Sequence, residues 1–486
     1  MERGLRQGDP LAPFLFLVVA ECLHLMVEKA ENSGLLKGVK VGKNNVSISH
    51  LQYADDVILF GAWETEYLKN MMKLMECFYS VSGLKINLNK SKLYGIGVND
   101  EVKKWAVTLG CGYGKLPLLY LGLPVGTSMH FCSNWLPVIE KSKKKLAGRK
   151  AKLFSFGGRW TLTKTILGSL SLYYFSLFRA PVRVVNTLER LRSNFFWGGV
   201  GGLRESENCS RGFHWVKWPK VIGSFESGGL NVGSLKDINW GLLCKWWWQF
   251  HVEDGALWVK VIKSIFGEDG GLASLGRSRG KGNNSVWGNI MKVGLEVDKL
   301  GINFSNSFWK SIGDGADSKF WEDSWVEVGR LKDKFMRLFK LEENKSISIA
   351  DRGSFEGDSW IWKWGWRREL GGREIGEFEG LMKALEGFLL KKNVKDRVTW
   401  KFVPIGGFTV KELRKILDEA VRRGGGVNSN PTMWLKEIPK KVCIFMWRVG
   451  LGRIPVRMEL DRRGIDLDSI LCPRCEMRVN RWSMPF

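Results

Sequence analysis

The chain has 486 residues, 44% of them hydrophobic, and a formal net charge of +25. That length exceeds one compact core and predicts two to four domains, while the composition excludes a disordered or collagen-like chain. The charge calls for a polyanionic partner, nucleic acid first. Nine cysteines, odd in number and scattered, exclude a disulfide framework and indicate a reducing, intracellular setting.

The first stretch, Arg3-Gly-Leu-Arg-Gln-Gly-Asp-Pro-Leu-Ala-Pro-Phe-Leu-Phe16, reads as a loop feeding a buried, mostly apolar helix through Glu28. Gly4 and Gly8 permit unusual backbone angles, and Pro10 and Pro13 suit a helix entrance. Asp9 and the two prolines interrupt any signal peptide, and the run Leu11 to Ala20 is too short to span a membrane. Next, Leu51-Gln-Tyr-Ala-Asp-Asp-Val-Ile-Leu-Phe60 places two adjacent carboxylates inside an apolar, strand-like run. It reads as two short strands with Asp55 and Asp56 at a hairpin turn, presented to a cation. Buried there, the pair is costly unless it is used, although a surface Asp-Asp turn explains the segment equally well. From Glu66 to Val81 the spacing of Leu68, Met71, Met72, Met75 and Phe78 predicts a helix packed under a sheet.

Taken together, these stretches resemble the reverse transcriptases of LINE-type (non-LTR) retrotransposons, particularly the plant kind. Arg3 to Phe16 is similar to their motif B and Tyr53-Ala-Asp-Asp56 to motif C. Gly83 to Lys92 resembles motif D, and Tyr120-Leu-Gly-Leu-Pro-Val-Gly126 the primer-grip hairpin. The resemblance implies an α+β fold: a partial polymerase palm with a small antiparallel sheet plus helices, a helical thumb and connecting region, and a small zinc-knuckle-like module. It implies RNA-directed DNA polymerisation by two-metal nucleotidyl transfer, with Asp55 the principal and Asp56 the lesser Mg²⁺ ligand. Gln7 and Gly8 would lie beside the incoming dNTP and template, Tyr53 near the primer end, and Lys90 or Lys92 against the phosphates. An RNA template, a DNA primer and a nuclear location follow, with no membrane. In the family the first metal-binding Asp and the fingers lie upstream of motif B, so the expectation is a chain inactive alone. The alternative is a catalytically dead nucleic-acid-binding remnant.

Residues 1–127 then form the partial palm and 128–198 the thumb, in which Glu140 to Lys152 carries seven basic residues against one acid. Lys143, Lys144, Lys145, Arg149, Lys150 and Lys152 suit a duplex backbone, with a solvated helix face or a nuclear-import signal as other uses. Val184 to Trp197 reads as an amphipathic helix closing this unit. Residues 199–392 are a Trp- and Gly-rich connecting region to which the resemblance assigns no reaction, and most of the chain's 24 tryptophans are expected in cores. The acids of Asn306 to Gly315 and Phe320 to Trp325 read as solvated. Residues 393–486 resemble the zinc-binding domain that follows the polymerase in plant LINE elements. Cys472 and Cys475 supply half a tetrahedral Zn²⁺ site, and no His follows His251 to help complete it.

Overall fold

The computed structural model describes residues 6, 8–98, 100–146, 153–198, 214–271, 284–357, 359–391, 393–403, 407–425 and 430–471. The chain divides into two compact units, one of residues 1–128 with 254–278 and one of 129–253 with 279–486. Both mix helices with two-stranded ladders, an α+β composition.

In the first unit, Pro13 sits in the first turn of helix α1 (Ala12–Asn32), where its missing N–H costs nothing. Helix α2 (Thr65–Ser82) ends at Gly83, whose φ of 73° supplies the left-handed stop. The two helices pack through Leu23, Val27 and Ala30 of one and Tyr67, Met75 and Phe78 of the other. The expected periodicity of the second helix thus forms a core. The first helix differs from expectation, because only its C-terminal half is buried. Phe14, Leu17 and Val18 are 64 to 66% exposed, lying beyond the turns that face α2.

Strands β1 (Val39–Val41) and β2 (Val46–Ile48) pair antiparallel, as do β3 (His50–Tyr53) and β4 (Asp56–Leu59). Strand β5 (Lys92–Tyr94), helix α3 (Asp100–Leu109) and strand β6 (Gly112–Gly114) follow, with β5 and β6 parallel because the helix supplies the crossover. Strands β7 (Leu118–Tyr120) and β8 (Leu123–Val125) close a hairpin whose turn residues, Leu121 and Gly122, both have positive φ. The small antiparallel sheet expected here is therefore distributed over separate ladders. The helix Leu257–Phe266, from the Trp/Gly-rich region, packs with this unit through Ser264. Its carbonyl accepts from the Lys43 amide at 2.9 Å, and its hydroxyl oxygen accepts from the Asn44 amide at 2.8 Å.

Several cores lie among the described residues of the second unit. One joins helix α4 (Leu136–Lys145) to the helices Phe156–Phe175, Val182–Trp197 and Leu235–Val252 around Trp135, Phe175, Leu188 and Phe195. The expected helix closing this region is present, with Leu188, Leu191, Phe195 and Phe196 buried. In another, Trp160, Phe196 and Trp197 meet Val221, Leu230, Ile444 and Trp447. The indole N–H of Trp160 donates to Leu230 and that of Trp447 to Gly228, so the helix Lys440–Gly450 is fixed to the 221–232 segment. A further core is an aromatic box around Phe320, Trp321 and Trp325. Inside it Arg352 and Glu342, both at most 2% exposed, form a bidentate ion pair, and the Trp321 indole donates to the same carboxylate at 3.0 Å. Trp135, Trp247, Trp321 and Trp400 are fully buried, as core use predicts. Asp323 and Glu322, read as solvated, are partly exposed and pair with Lys310 at 2.8 Å and Lys319 at 3.0 Å.

Candidate active site

The β3–β4 ladder runs His50 to Leu59, Leu51 to Ile58, Gln52 to Val57 and Tyr53 to Asp56, leaving Ala54 and Asp55 as a two-residue turn. Val57 and Leu59 pack onto the α1–α2 core. Side chains alternate across a strand, so Asp56 and Ile58 take the opposite face, with Tyr53 directly across from Asp56. A tight hairpin needs positive φ in its turn, and Ala54 supplies it at φ 51°. For a residue with a Cβ this conformation costs about 1 kcal/mol, and such strain concentrates at functional sites.

Asp55 and Asp56 are both exposed. The apolar flanks suggested burial, but the turn lifts the carboxylates beyond the strand faces that Val57 and Leu59 bury. Their desolvation therefore gives no argument for function; their presentation does. Gly8 is exposed at φ 92°, and Tyr53 is 65% exposed. Lys90 is exposed on the turn before β5, held through its backbone amide to the Asn87 carbonyl at 3.0 Å. Among the described residues Asp55, Asp56 and Lys90 form no ion pair, and no three His, Cys, Asp or Glu side chains converge as a metal cluster.

Of the basic cluster, Lys143 pairs with Glu140 at 2.8 Å, while Lys144 and Lys145 are exposed in the last turn of α4, where cations also complement the helix dipole. Gln7, Arg149, Lys150, Lys152, Cys472 and Cys475 lie outside the described residues.

Sequence reasoning missed one neighbour of the hairpin. His24 Nδ1 of α1 lies 2.9 Å from His50 Nε2 of β3. Burial, then the charge of His24, holds His50 below the usual histidine range, against the opposing pull of Glu31. Twenty-six residues separate the two rings, and no local spacing announces them.

Two exposed carboxylates at a hairpin turn, downstream of a Gly-Asp-Pro helix entrance, form an arrangement open to a hard cation. Residues 1–125 match the family model for reverse transcriptase (RNA-dependent DNA polymerase), and residues 408–482 match that for zinc-binding in reverse transcriptase. The chain is 32% identical over 108 residues to the Pol polyprotein of a type-2 retrotransposable element of Drosophila melanogaster, covering 22% of this chain and 9% of that one. It is 27% identical over 347 residues to a putative ribonuclease H protein of Arabidopsis thaliana, covering 70% of this chain and 51% of the relative. An Arabidopsis mitochondrial protein is 26% identical over 159 residues, 32% of this chain and 93% of its own length. The chain therefore spans about half the length of the ribonuclease H relative. These two matched segments and the plant and retrotransposon relatives are consistent with a plant LINE-type, non-LTR retrotransposon reverse transcriptase, as its motifs implied. These families imply a divalent metal, zinc, and nucleic-acid and nucleotide substrates. No helix among the described residues is long and apolar enough to cross a membrane.

Proposed function

We propose that this chain contributes the motif B to primer-grip part of a palm that extends a DNA primer on an RNA template. The observation that carries this reading is the β3–β4 turn, which presents two exposed carboxylates from a hairpin anchored by Val57 and Leu59. Hard divalent cations take carboxylate oxygens, so Asp55, with Asp56 beside it, fits Mg²⁺ in its donor chemistry. Two such ions, when bound, lower the pKa of a primer 3′-hydroxyl and stabilise the leaving pyrophosphate. The chain's own part is positional. Tyr53, across from Asp56 on the exposed face, offers its ring to the primer end. Gly8, with no Cβ, allows a nucleotide close to the backbone, with Gln7 as its neighbour. Lys90 supplies positive charge toward the phosphates, and Lys144 and Lys145 attract template-primer backbone. We place the polymerase part in 1–127, a thumb in 128–198, a connecting region in 199–392 and a zinc module with Cys472 and Cys475 in 393–486. Action in the nucleus belongs to the same reading.

Primer extension by the full chain on an RNA template tests it. Mg²⁺-dependent incorporation that falls at least about 100-fold in Asp55→Asn supports catalysis by this chain. Template binding with no incorporation, unaltered by Asp55→Asn, would instead establish a nucleic-acid-binding remnant.

A further inference from the structure

Nothing in the polymerase reading uses His24 and His50. His24 is exposed on α1, and His50 is half-buried at the start of β3. Nδ1 of His24 and Nε2 of His50 face each other at 2.9 Å, with ring centres 5.0 Å apart and planes inclined by 45°. Two N–H groups cannot point into that gap, so at least one of the facing nitrogens presents a lone pair. The far side of His50 indicates which one. Its Nδ1 lies 3.2 Å from the Ser49 hydroxyl oxygen, and an Nδ1–H donated there leaves the Nε2 lone pair directed at His24. A hydrogen bond from the remote ring nitrogen is also how proteins orient a histidine that binds a metal. Glu31 favours positive charge at His50, and its carboxylate is held in place by the Ser47 hydroxyl. With the His24 proton on Nδ1, the rings share one hydrogen bond. With that proton on Nε2, both lone pairs converge on one point. Two imidazole nitrogens bound to a metal at about 2.0–2.1 Å stand about 2.9 Å apart at a right angle and about 3.4 Å apart in a tetrahedron. The observed separation matches the first, and a small turn of the exposed His24 ring reaches the second.

We propose that His24 and His50 form a two-imidazole site for a borderline divalent transition-metal ion such as Zn²⁺, with water completing the coordination on the exposed side of His24. Imidazole nitrogens suit this class of ion, whereas Mg²⁺ takes oxygen donors and belongs with carboxylates such as Asp55 and Asp56. Binding moves the His24 proton from Nδ1 to Nε2 and releases none. With two protein donors instead of the four of a structural zinc site, the ion exchanges with solvent. While bound, it staples α1 to β3 across 26 residues of chain, on the strand that leads into the Asp55 turn. The site contains no thiolate and is independent of the polymerase reading.

The test uses the full chain, stripped of metal by a chelator and held in excess Mg²⁺ so that carboxylate sites are occupied, at about pH 7.5, where imidazoles are neutral. Equilibrium dialysis against Zn²⁺ should show one bound equivalent that disappears in His24→Gln and likewise in His50→Gln, and that persists in Cys472→Ser. In the unchanged chain, Zn²⁺ should raise the urea midpoint of the first unit, because an ion that binds only the folded state stabilises it. It should also shield both rings from acylation by diethyl pyrocarbonate, read by peptide mapping, a measurement that needs no variant to fold. Zinc counts unchanged in both histidine variants overturn the site, as does full acylation of His24 and His50 at saturating Zn²⁺. An equivalent lost in Cys472→Ser but kept in the histidine variants also overturns it and places the ion on thiolate. Primer extension is read in no arm, so loss of Asp55-dependent incorporation and loss of this site are separate results.

Discussion

Replacing Asp237 by Asn should stabilise the second unit at neutral pH and flatten its loss of stability between about pH 4 and pH 6. Asp237 lies in the first turn of the helix Leu235–Val252, whose N-cap Ser234 accepts from the Asp237 amide at 3.3 Å. Burial pushes its carboxyl up to about 6, and Asp418 adds to the shift, against the opposing pull of Lys236, Arg414 and the Ser234 hydroxyl. The folded pKa thus exceeds the ordinary carboxylate value of 3.8. The folded state holds the proton more tightly than the unfolded chain, so stability is fully present below the ordinary value and is lost as pH rises through the folded one. A rise of about two units corresponds to roughly 3 kcal/mol. Because the residue keeps some contact with solvent, we take about 2 kcal/mol. Urea unfolding of this unit, followed at about pH 5 and about pH 8, should show somewhat under half of that loss, about 1 kcal/mol, in the unchanged chain, because the remainder falls between about pH 4 and pH 5, and a flatter dependence in Asp237→Asn. A variant less stable at both pH values would refute the reasoning. It would mean that the carboxylate's attraction to Arg414, whose own pKa burial lowers and Asp237 raises, outweighs its desolvation.

The hairpin was legible because its information is local. Val57 and Leu59 alternate with Asp56 and Ile58 after a short turn, and Tyr53 and Asp56 close the ladder. The α2 core was legible for the same reason, since Leu68, Met75 and Phe78 recur at helical spacing and are buried. Exposure of the carboxylates was one of two readings that the segment left open, and the structure decides for the surface turn. A run of apolar neighbours implies burial, but one residue in the left-handed region, Ala54, turns the chain before the acids can enter a core. Long-range partners were beyond any pattern. Ser264 receives the Asn44 amide across 220 residues, and His24 finds His50 through the stacking of a helix on a strand. The Trp-rich composition announced an aromatic core but not the ion pair inside it. Nothing in the spacing of Glu342 and Arg352 says that they share the box with Trp321.

At the turn, Ala54→Gly should stabilise the first unit by about 0.5 kcal/mol, the relief of left-handed strain less the extra chain entropy, whereas Ala54→Val should destabilise it by about 1 to 2 kcal/mol. Denaturant midpoints read both. In the aromatic box, Arg352→Met leaves the Glu342 carboxylate buried and should cost about 3 to 5 kcal/mol by the same measurement; a cost below about 1 kcal/mol would show that the box admits water. The histidine pair makes a prediction of opposite pH sign to Asp237. Burial and the facing His24 hold the His50 pKa below its ordinary 6.5, with Glu31 opposing, while the Ser49 hydroxyl lies 3.2 Å from His50 Nδ1. A depressed histidine contributes stability above its unfolded pKa and loses it as pH falls through the folded value. The first unit should therefore weaken on acidification below about pH 6.5, and His50→Gln, which keeps the ladder's backbone pairing with Leu59, should flatten that dependence. Unfolding curves that steepen toward acid identically in both chains would assign the effect to other groups. A first unit that instead gains stability on acidification would show that protonated His50 is held by Glu31 more strongly than it is opposed by burial and His24.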